Sequence, residues 1–230
     1  MLDQAFEALK TYDWGVDPKV LSPIPAAIVS THGDAGARKE LETRLAAVLT
    51  SDVPRAGKDA VCRALRTIGT AVSVPPLAEL LKDENLSHMA RYALQVIPAP
   101  EAAQALLAAL PKAPAKIKIG ITSSLGARRK DVPAAPFASM LADKDPAIAR
   151  AAALALGALG SPEAAKALSS AKATDGTTKA AIADSLLECA ENLLAAGSKA
   201  DAKAAYEKIL ASKPSEVVKV AATLGIAASS

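Results

Sequence analysis

Leucines recur along the chain in two interleaved series that share one period. The first series steps by 32, 29 and 31 residues through Leu49, Leu81, Leu110 and Leu141; the second steps by 29, 31, 31 and 31 through Leu65, Leu94, Leu125, Leu156 and Leu187. Two series with one period are typical of a repeating helical hairpin, whose apolar face is buried only when neighbours stack on it. We therefore expect an all-α fold, a right-handed α-solenoid of about six to seven antiparallel helix pairs.

One unit shows the start and stop signals of such a hairpin clearly. Asp145 can accept the free N–H groups of a helix whose first residue is Pro146, and Gly160 can supply the left-handed residue that ends it. Ser161 and Pro162 then repeat the same start signal for the next helix. The segment predicts one helix, a tight turn and the beginning of another helix.

The composition favours close-packed helices over a polyanion-binding surface. Hydrophobic residues make up 51% of the 230 residues and aromatic residues only 3%, so the core must consist of small and branched aliphatic side chains. The 27 basic and 24 acidic side chains leave a net charge of +3, too balanced to imply a nucleic-acid partner from bulk charge alone.

No residue pattern indicates catalysis, a cofactor or a metal site. Cys62 and Cys189 lie in different repeats within apolar helical patterns, so we expect two buried free thiols. His32 and His88 have no second ligand at one-turn spacing, which excludes a zinc site of the usual pattern. Ser87 next to His88 is typical of a helix cap followed by a surface residue, with Asn85 as the alternative cap. We expect a protein that is not an enzyme.

We expect one solenoid over residues 1–230, divided into an irregular capping pair (1–33), core repeats (34–175) and a C-terminal part (176–230). Its last helix is predicted to start at Lys213-Pro214. That helix is apolar and lacks a polar cap, so the natural polypeptide is expected to continue beyond Ser230 or to meet a partner there. No apolar run reaches the roughly 18 residues needed to span a bilayer. The first residues do not resemble a signal peptide, and the location stays open: cytoplasmic, or periplasmic if a signal has been removed.

The segment from Asp145 to Ala164, DPAIARAAALALGALGSPEA, resembles a HEAT repeat, specifically the short HEAT-like repeats first noted in phycobilisome lyases. The runs 58–63, 68–70 and 86–94 resemble an uncharacterised group of bacterial HEAT-repeat proteins, of the kind seen in planctomycetes and verrucomicrobia. Residues 190–210 are similar to a tetratricopeptide hairpin, in which Tyr206 would fill the groove between helices. The resemblance implies stacked hairpins and no known activity.

In HEAT-like arrays the second helices conventionally form the concave surface, so basic side chains on them are the candidates for binding an acidic partner. These candidates are Arg63, Arg66, His88, Arg91, Lys118 and Arg150. For Arg150 an alternative is a structural contact with a turn aspartate of the neighbouring repeat.

The leading interpretation is a non-enzymatic protein–protein interaction or scaffolding module that binds through this face. Three alternatives stay open: a DNA-binding protein of the HEAT-like alkylpurine glycosylase type, a bilin lyase, or a structural spacer within a larger polypeptide. The glycosylase type needs aromatic side chains over a strongly basic groove, and the single Trp14, in the end cap, counts against it.

Overall fold

The computed structural model describes residues 1–173, 175–212 and 214–229, and over these residues it contains helices and no strand. The α-helices are α1 (Leu2–Leu9), α2 (Pro23–Ser30), α3 (Ala35–Leu49), α4 (Arg55–Ile68), α5 (Val74–Leu80), α6 (Ser87–Leu94), α7 (Pro100–Ala109), α8 (Ala115–Arg128), α9 (Ala135–Met140), α10 (Pro146–Leu159), α11 (Pro162–Ser170), α12 (Gly176–Ala195), α13 (Lys199–Ala211) and α14 (Glu216–Ala228). Short 3-10 turns lie at Pro18–Leu21, Ala71–Ser73 and Leu110–Lys112.

The helices pack into two compact units, Met1–Ile117 and Lys118–Ser230. In the first unit α3, α5 and α7 follow one another in one layer, and α2, α4 and α6 form the second layer. In the second unit α9, α11 and α13 form one layer, and α10, α12 and α14 form the other. Each unit is thus a stack of helical hairpins, which confirms the all-α, α-solenoid fold class. The single solenoid over residues 1–230 stays a prediction.

The two leucine series form the core of these layers. Every leucine of the first series is buried, as are the first four of the second. The last member, Leu187, is only half-buried, and its neighbour Leu186 is buried with 4% of its surface exposed. Leu186 therefore takes the core position of α12, 30 residues after Leu156 and within the range of spacings of the other leucines.

The start and stop signals around α10 are confirmed. The Asp145 carboxylate accepts a hydrogen bond from the Ala147 amide at 2.8 Å, and Gly160 ends the helix with a φ of +58°. Ser161 then caps α11 by accepting from the amide of Ala164 at 3.2 Å. A Cβ on Gly160 would collide with the side chain of Asn192, so both the backbone conformation and the packing require glycine here.

The predicted cap of α6 is wrong. Neither Asn85 nor Ser87 caps the helix; its N-cap residue is Leu86, and Ser87 is buried. The preceding turn is held by the Asp83 carboxylate, which accepts from the amides of Asn85 at 2.7 Å and Leu86 at 3.2 Å. One aspartate thus satisfies two backbone donors and leaves Ser87 to pack inward.

One carboxylate crosses between consecutive hairpins of the first unit. Glu42 of α3 is buried and accepts hydrogen bonds from the Thr70 amide at 2.6 Å, the Thr70 hydroxyl at 3.0 Å and the Ser73 hydroxyl at 2.6 Å. Its position on the apolar face of α3 was the sequence signal for this role. Glu42 therefore fixes the start of α5 against α3.

The C-terminal hairpin contains the predicted buried tyrosine. Tyr206 of α13 is buried, and its ring lies directly over Gly225 of α14, where any Cβ would collide with it. The predicted helix start at Lys213 lies outside the described residues, as does Ser230; the helix itself begins at Glu216.

Candidate functional site

The two packed second helices of the first unit carry an excess of basic side chains. Helices α4 and α6 together contain five basic side chains and one acidic side chain, whereas α3, α5 and α7 together contain three basic and four acidic ones. The basic side chains of α4 and α6 are Arg55, Lys58, Arg63, Arg66 and Arg91, and α6 also carries His88. Their acidic side chain is Asp59. We call the surface formed by Arg63, Arg66, His88, Arg91 and Tyr92 the basic face.

Arg66 connects α4 to α6 through an aromatic ring. Its guanidinium carbon lies 4.4 Å from the centroid of the Tyr92 ring, within the range of a cation–π contact. Arg63 lies one turn earlier on α4, and both arginines are exposed. Because both Arg66 and Tyr92 are exposed, the guanidinium remains accessible to a carboxylate of another molecule.

The single acidic residue of these helices is buried beneath the arginines. Asp59 exposes 4% of its surface, and its Oδ1 atom has no hydrogen-bond partner among the described residues. Burial raises the pKa of this carboxyl, while the positive charges of Arg55, Arg63 and His88 act in the opposite direction. A carboxylate placed here compensates part of the local positive charge without reaching the surface.

Arg91 is half-buried on α6, and its Nε atom has no hydrogen-bond partner in the described part of the chain. Burial lowers the pKa of its guanidinium, although an arginine remains protonated under all ordinary conditions. Within residues 1–173, 175–212 and 214–229, none of Arg63, Arg66, His88 and Arg91 takes part in an ion pair. The basic face thus presents cations that no carboxylate of the described residues neutralises by direct contact.

The remaining two candidates lie in the second unit. Lys118 and Arg150 are half-buried on α8 and α10. Arg150 donates to the Thr177 hydroxyl at 3.4 Å, and Thr177 donates to the Asp175 carboxylate at 2.6 Å. The bond from Thr177 and that from the Thr178 amide lower the pKa of Asp175. The alternative contact of Arg150 with a turn aspartate of the next repeat is thus present in indirect form, with Thr177 between the two charges.

The two cysteine thiols are buried and unfavourable to ionise. Cys62 and Cys189 are free and buried, and burial raises their thiol pKa values to about 12 and about 11. In the described ranges no three His, Cys, Asp or Glu side chains are grouped as metal ligands would be. Over the same ranges no helix has both the length and the apolar character required to cross a bilayer.

Sequence reasoning found the arginines of the basic face but not the residues that organise it. Asp59 lies one turn before Arg63, and on a helix this spacing places both on one side, which was an available signal. The pairing of Arg66 with Tyr92 joins residues of different helices. Only the packing of α4 on α6 brings them together.

Comparison with known proteins supports the repeat assignment. Residues 103–187 match the family described as HEAT repeats, and HEAT repeats generally mediate protein–protein interaction. A solved structure of an engineered protein is similar over 90% of this chain and 95% of that chain, with 21% sequence identity and a TM-score of 0.44. No curated protein gives a significant match to the sequence.

Proposed function

We propose, with the HEAT-repeat match of residues 103–187 as the premise, that the chain is a non-enzymatic protein-binding module whose basic face binds an acidic segment of a partner protein. The observation that carries the proposal is the set of cations on α4 and α6 without ion-pair partners. Stacked hairpins offer an extended surface for such binding. Electrostatic complementarity across an interface favours an acidic partner and accelerates its association.

Three structural features support a protein partner. Arg66 is held over Tyr92, so little side-chain entropy is lost when its guanidinium binds a carboxylate. Arg91 is already partly desolvated, which strengthens any charge-assisted hydrogen bond it donates. Arginine and tyrosine are also the residues enriched among those that dominate binding energy at protein interfaces. The buried Asp59 limits the field that would draw a polyanion.

The two candidates in the second unit, Lys118 and Arg150, have different roles in the proposal. We infer that Lys118 is available to a partner on α8, while Arg150 serves chiefly to connect α10 to the turn before α12 through Thr177. We also propose that the repeats are related to the short HEAT-like repeats of phycobilisome lyases and to an uncharacterised bacterial group. This relationship implies no activity.

The test compares two variants with equal changes of charge. In one, Arg63→Glu and Arg66→Glu reverse two cations of the basic face. In the other, Lys39→Glu and Lys112→Glu reverse two exposed cations outside it, on α3 and on the 3-10 turn after α7. Each chain is immobilised and used to capture proteins from the source organism, and the captured protein is then purified and titrated.

We expect the basic-face variant to lose a specific partner, with affinity for the purified protein reduced by at least about tenfold, and the control pair to retain it. All four residues are exposed, but Arg63 lies near the buried Asp59 and Arg66 contacts Tyr92, so thermal unfolding of each variant checks that the chain is folded at the temperature of the binding measurement. Equal capture by both variants would contradict the proposal. Binding to DNA that falls steeply with salt would instead indicate a nucleic-acid partner.

A further inference from the structure

A second feature of the first unit borders the basic face. The stretch from Tyr12 to Ile28, which we call the α1–α2 segment and which includes the first turns of α2, faces α4 across a cavity of about 670 Å³. Its floor is formed by the small side chains of Ala56, Ala60 and Ala64, spaced one turn apart on α4. Alanine side chains are too short to fill the space between these elements.

The opposite wall is apolar and irregular. Trp14 lies on it with 65% of its surface exposed, and Pro18 and Pro25 contribute the rigid backbone around it. Residues 10–22 between α1 and α2 are not α-helical and include the 3-10 turn Pro18–Leu21, whereas Pro25 lies in the first turn of α2. Burying an exposed tryptophan is strongly favourable, and tryptophan is enriched among the side chains that anchor protein partners.

Only two charged residues line the groove, and both are basic. Lys19 stands on the wall beside Trp14, and Arg63 stands on the floor, where it also belongs to the basic face. An occupant therefore meets apolar surface over most of the lining and positive charge at Lys19 and Arg63, while the exposed Asp13 and Asp17 adjoin the wall outside the lining. The groove is open to solvent, with the exposed Trp14, Lys19 and Arg63 in its lining, which suits a chain segment lying across it better than an enclosed small molecule.

We propose that this groove between the α1–α2 segment and α4 binds a bulky apolar side chain of an acidic peptide segment, whose flanking carboxylates contact Arg63 and Lys19. The proposal rests on the proposed function, and it names the recognition motif: a phenylalanine or leucine next to glutamate or aspartate. The apolar side chain would supply affinity through the groove, and the carboxylates would set its orientation.

Trp14 provides a direct reporter, because it is the single tryptophan of the sequence. The probe is a blocked synthetic peptide without tryptophan, in which a phenylalanine and a leucine are flanked by glutamates. Titration into the full chain should shift the Trp14 emission to shorter wavelength as the ring leaves water. Two control peptides replace the apolar residues by alanine or the glutamates by lysine, and neither should produce the shift.

Two variants separate the groove from the charge. Ala60→Leu fills the floor without a change of charge, and Ala108→Leu adds the same volume on the exposed side of α7. We expect Ala60→Leu to abolish the fluorescence shift and Ala108→Leu to keep it. Arg63→Glu should weaken peptide binding about tenfold, since an exposed attraction becomes a repulsion of similar size. If Ala60→Leu lowers thermal stability, the alanine-substituted peptide tests the apolar contact on the unaltered chain.

The outcomes distinguish this inference from the proposed function. If no peptide shifts the Trp14 emission while reversal of Arg63 and Arg66 still removes the captured partner, the groove proposal fails and the proposed function stands. If the alanine-substituted peptide binds as tightly as the original peptide, the groove proposal also fails and the proposed function stands. If the Arg63→Glu, Arg66→Glu variant still binds the peptide and still captures the partner, both the groove proposal and the proposed function are overturned. Self-association that grows with protein concentration and is lost in Ala60→Leu would show that a second copy occupies the groove, which overturns the peptide proposal.

Discussion

Replacement of Glu42 by alanine should be among the most destabilising single changes in the first unit. The substitution removes the acceptor of three hydrogen bonds that join α3 to the residues before α5. The Ser73 hydroxyl is fully buried and would lose its partner, whereas Thr70 is exposed and can bond to water instead.

The size of the stability loss depends on the different exposure of Ser73 and Thr70. Hydrogen bonds to a charged group contribute about 1.5–3 kcal/mol each, and a buried group left without a partner costs about 1–3 kcal/mol. The loss is reduced because the variant no longer has to desolvate a buried carboxylate. With Thr70 rehydrated and Ser73 left unpaired, we expect Glu42→Ala to lower the free energy of unfolding by about 2–4 kcal/mol.

Urea denaturation followed by far-ultraviolet circular dichroism measures the change, with Glu40→Ala as the control. Glu40 is an exposed residue of the same helix, so its replacement should alter stability by no more than about 0.5 kcal/mol. The double variant Glu42→Ala with Ser73→Ala should recover part of the loss, because the buried hydroxyl is then absent as well. If Glu42→Ala costs no more stability than Glu40→Ala, the hydrogen bonds accepted by Glu42 do not stabilise the first unit as expected.

Buried ionisable groups should affect the pH dependence of stability and the reactivity of the thiols. Because the folded pKa of Asp59 is raised, the folded state binds its proton more tightly than the unfolded state, so stability falls as pH rises above the ordinary aspartate range. Asp59→Asn should remove this fall and raise stability near neutral pH by about 1 kcal/mol, as measured by denaturation over a series of pH values; an unchanged pH profile would contradict the raised pKa. Cys62 and Cys189, with thiol pKa values of about 12 and about 11, should react with a thiol reagent at mildly alkaline pH only after the chain unfolds, and rapid labelling of the folded chain would show that these sites open.

The sequence was sufficient for the features that depend on local spacing. The leucine series predicted the hairpins, and the Asp145, Gly160 and Ser161 signals predicted both ends of the turn after α10. The capping signals act between residues within one or two turns of one another, and the leucine series repeats one helical pattern at each hairpin. Local rules decide such features because capping and helix periodicity involve only the neighbouring backbone.

The candidate site could be predicted only in part. Its arginines were visible as basic residues on second helices, but the contact of Arg66 with Tyr92, the burial of Asp59 and the groove beside Trp14 depend on how separate helices pack. The cap of α6 was missed for another reason: Asp83 bonds two amides of the turn and displaces Ser87 from the role its residue type favours. Tertiary packing decided each of these outcomes.

The spacing of the core leucines bears on how this chain can be lengthened or shortened. Buried leucines of successive second helices, from Leu65 to Leu156, stand 29 to 31 residues apart, and Leu186 of α12 follows Leu156 of α10 by 30. The connections between helices therefore absorb differences of one or two residues while the apolar faces stay aligned. Insertions and deletions of that size are expected to be tolerated in the turns and not within a helix, where one residue rotates the apolar face by about 100°.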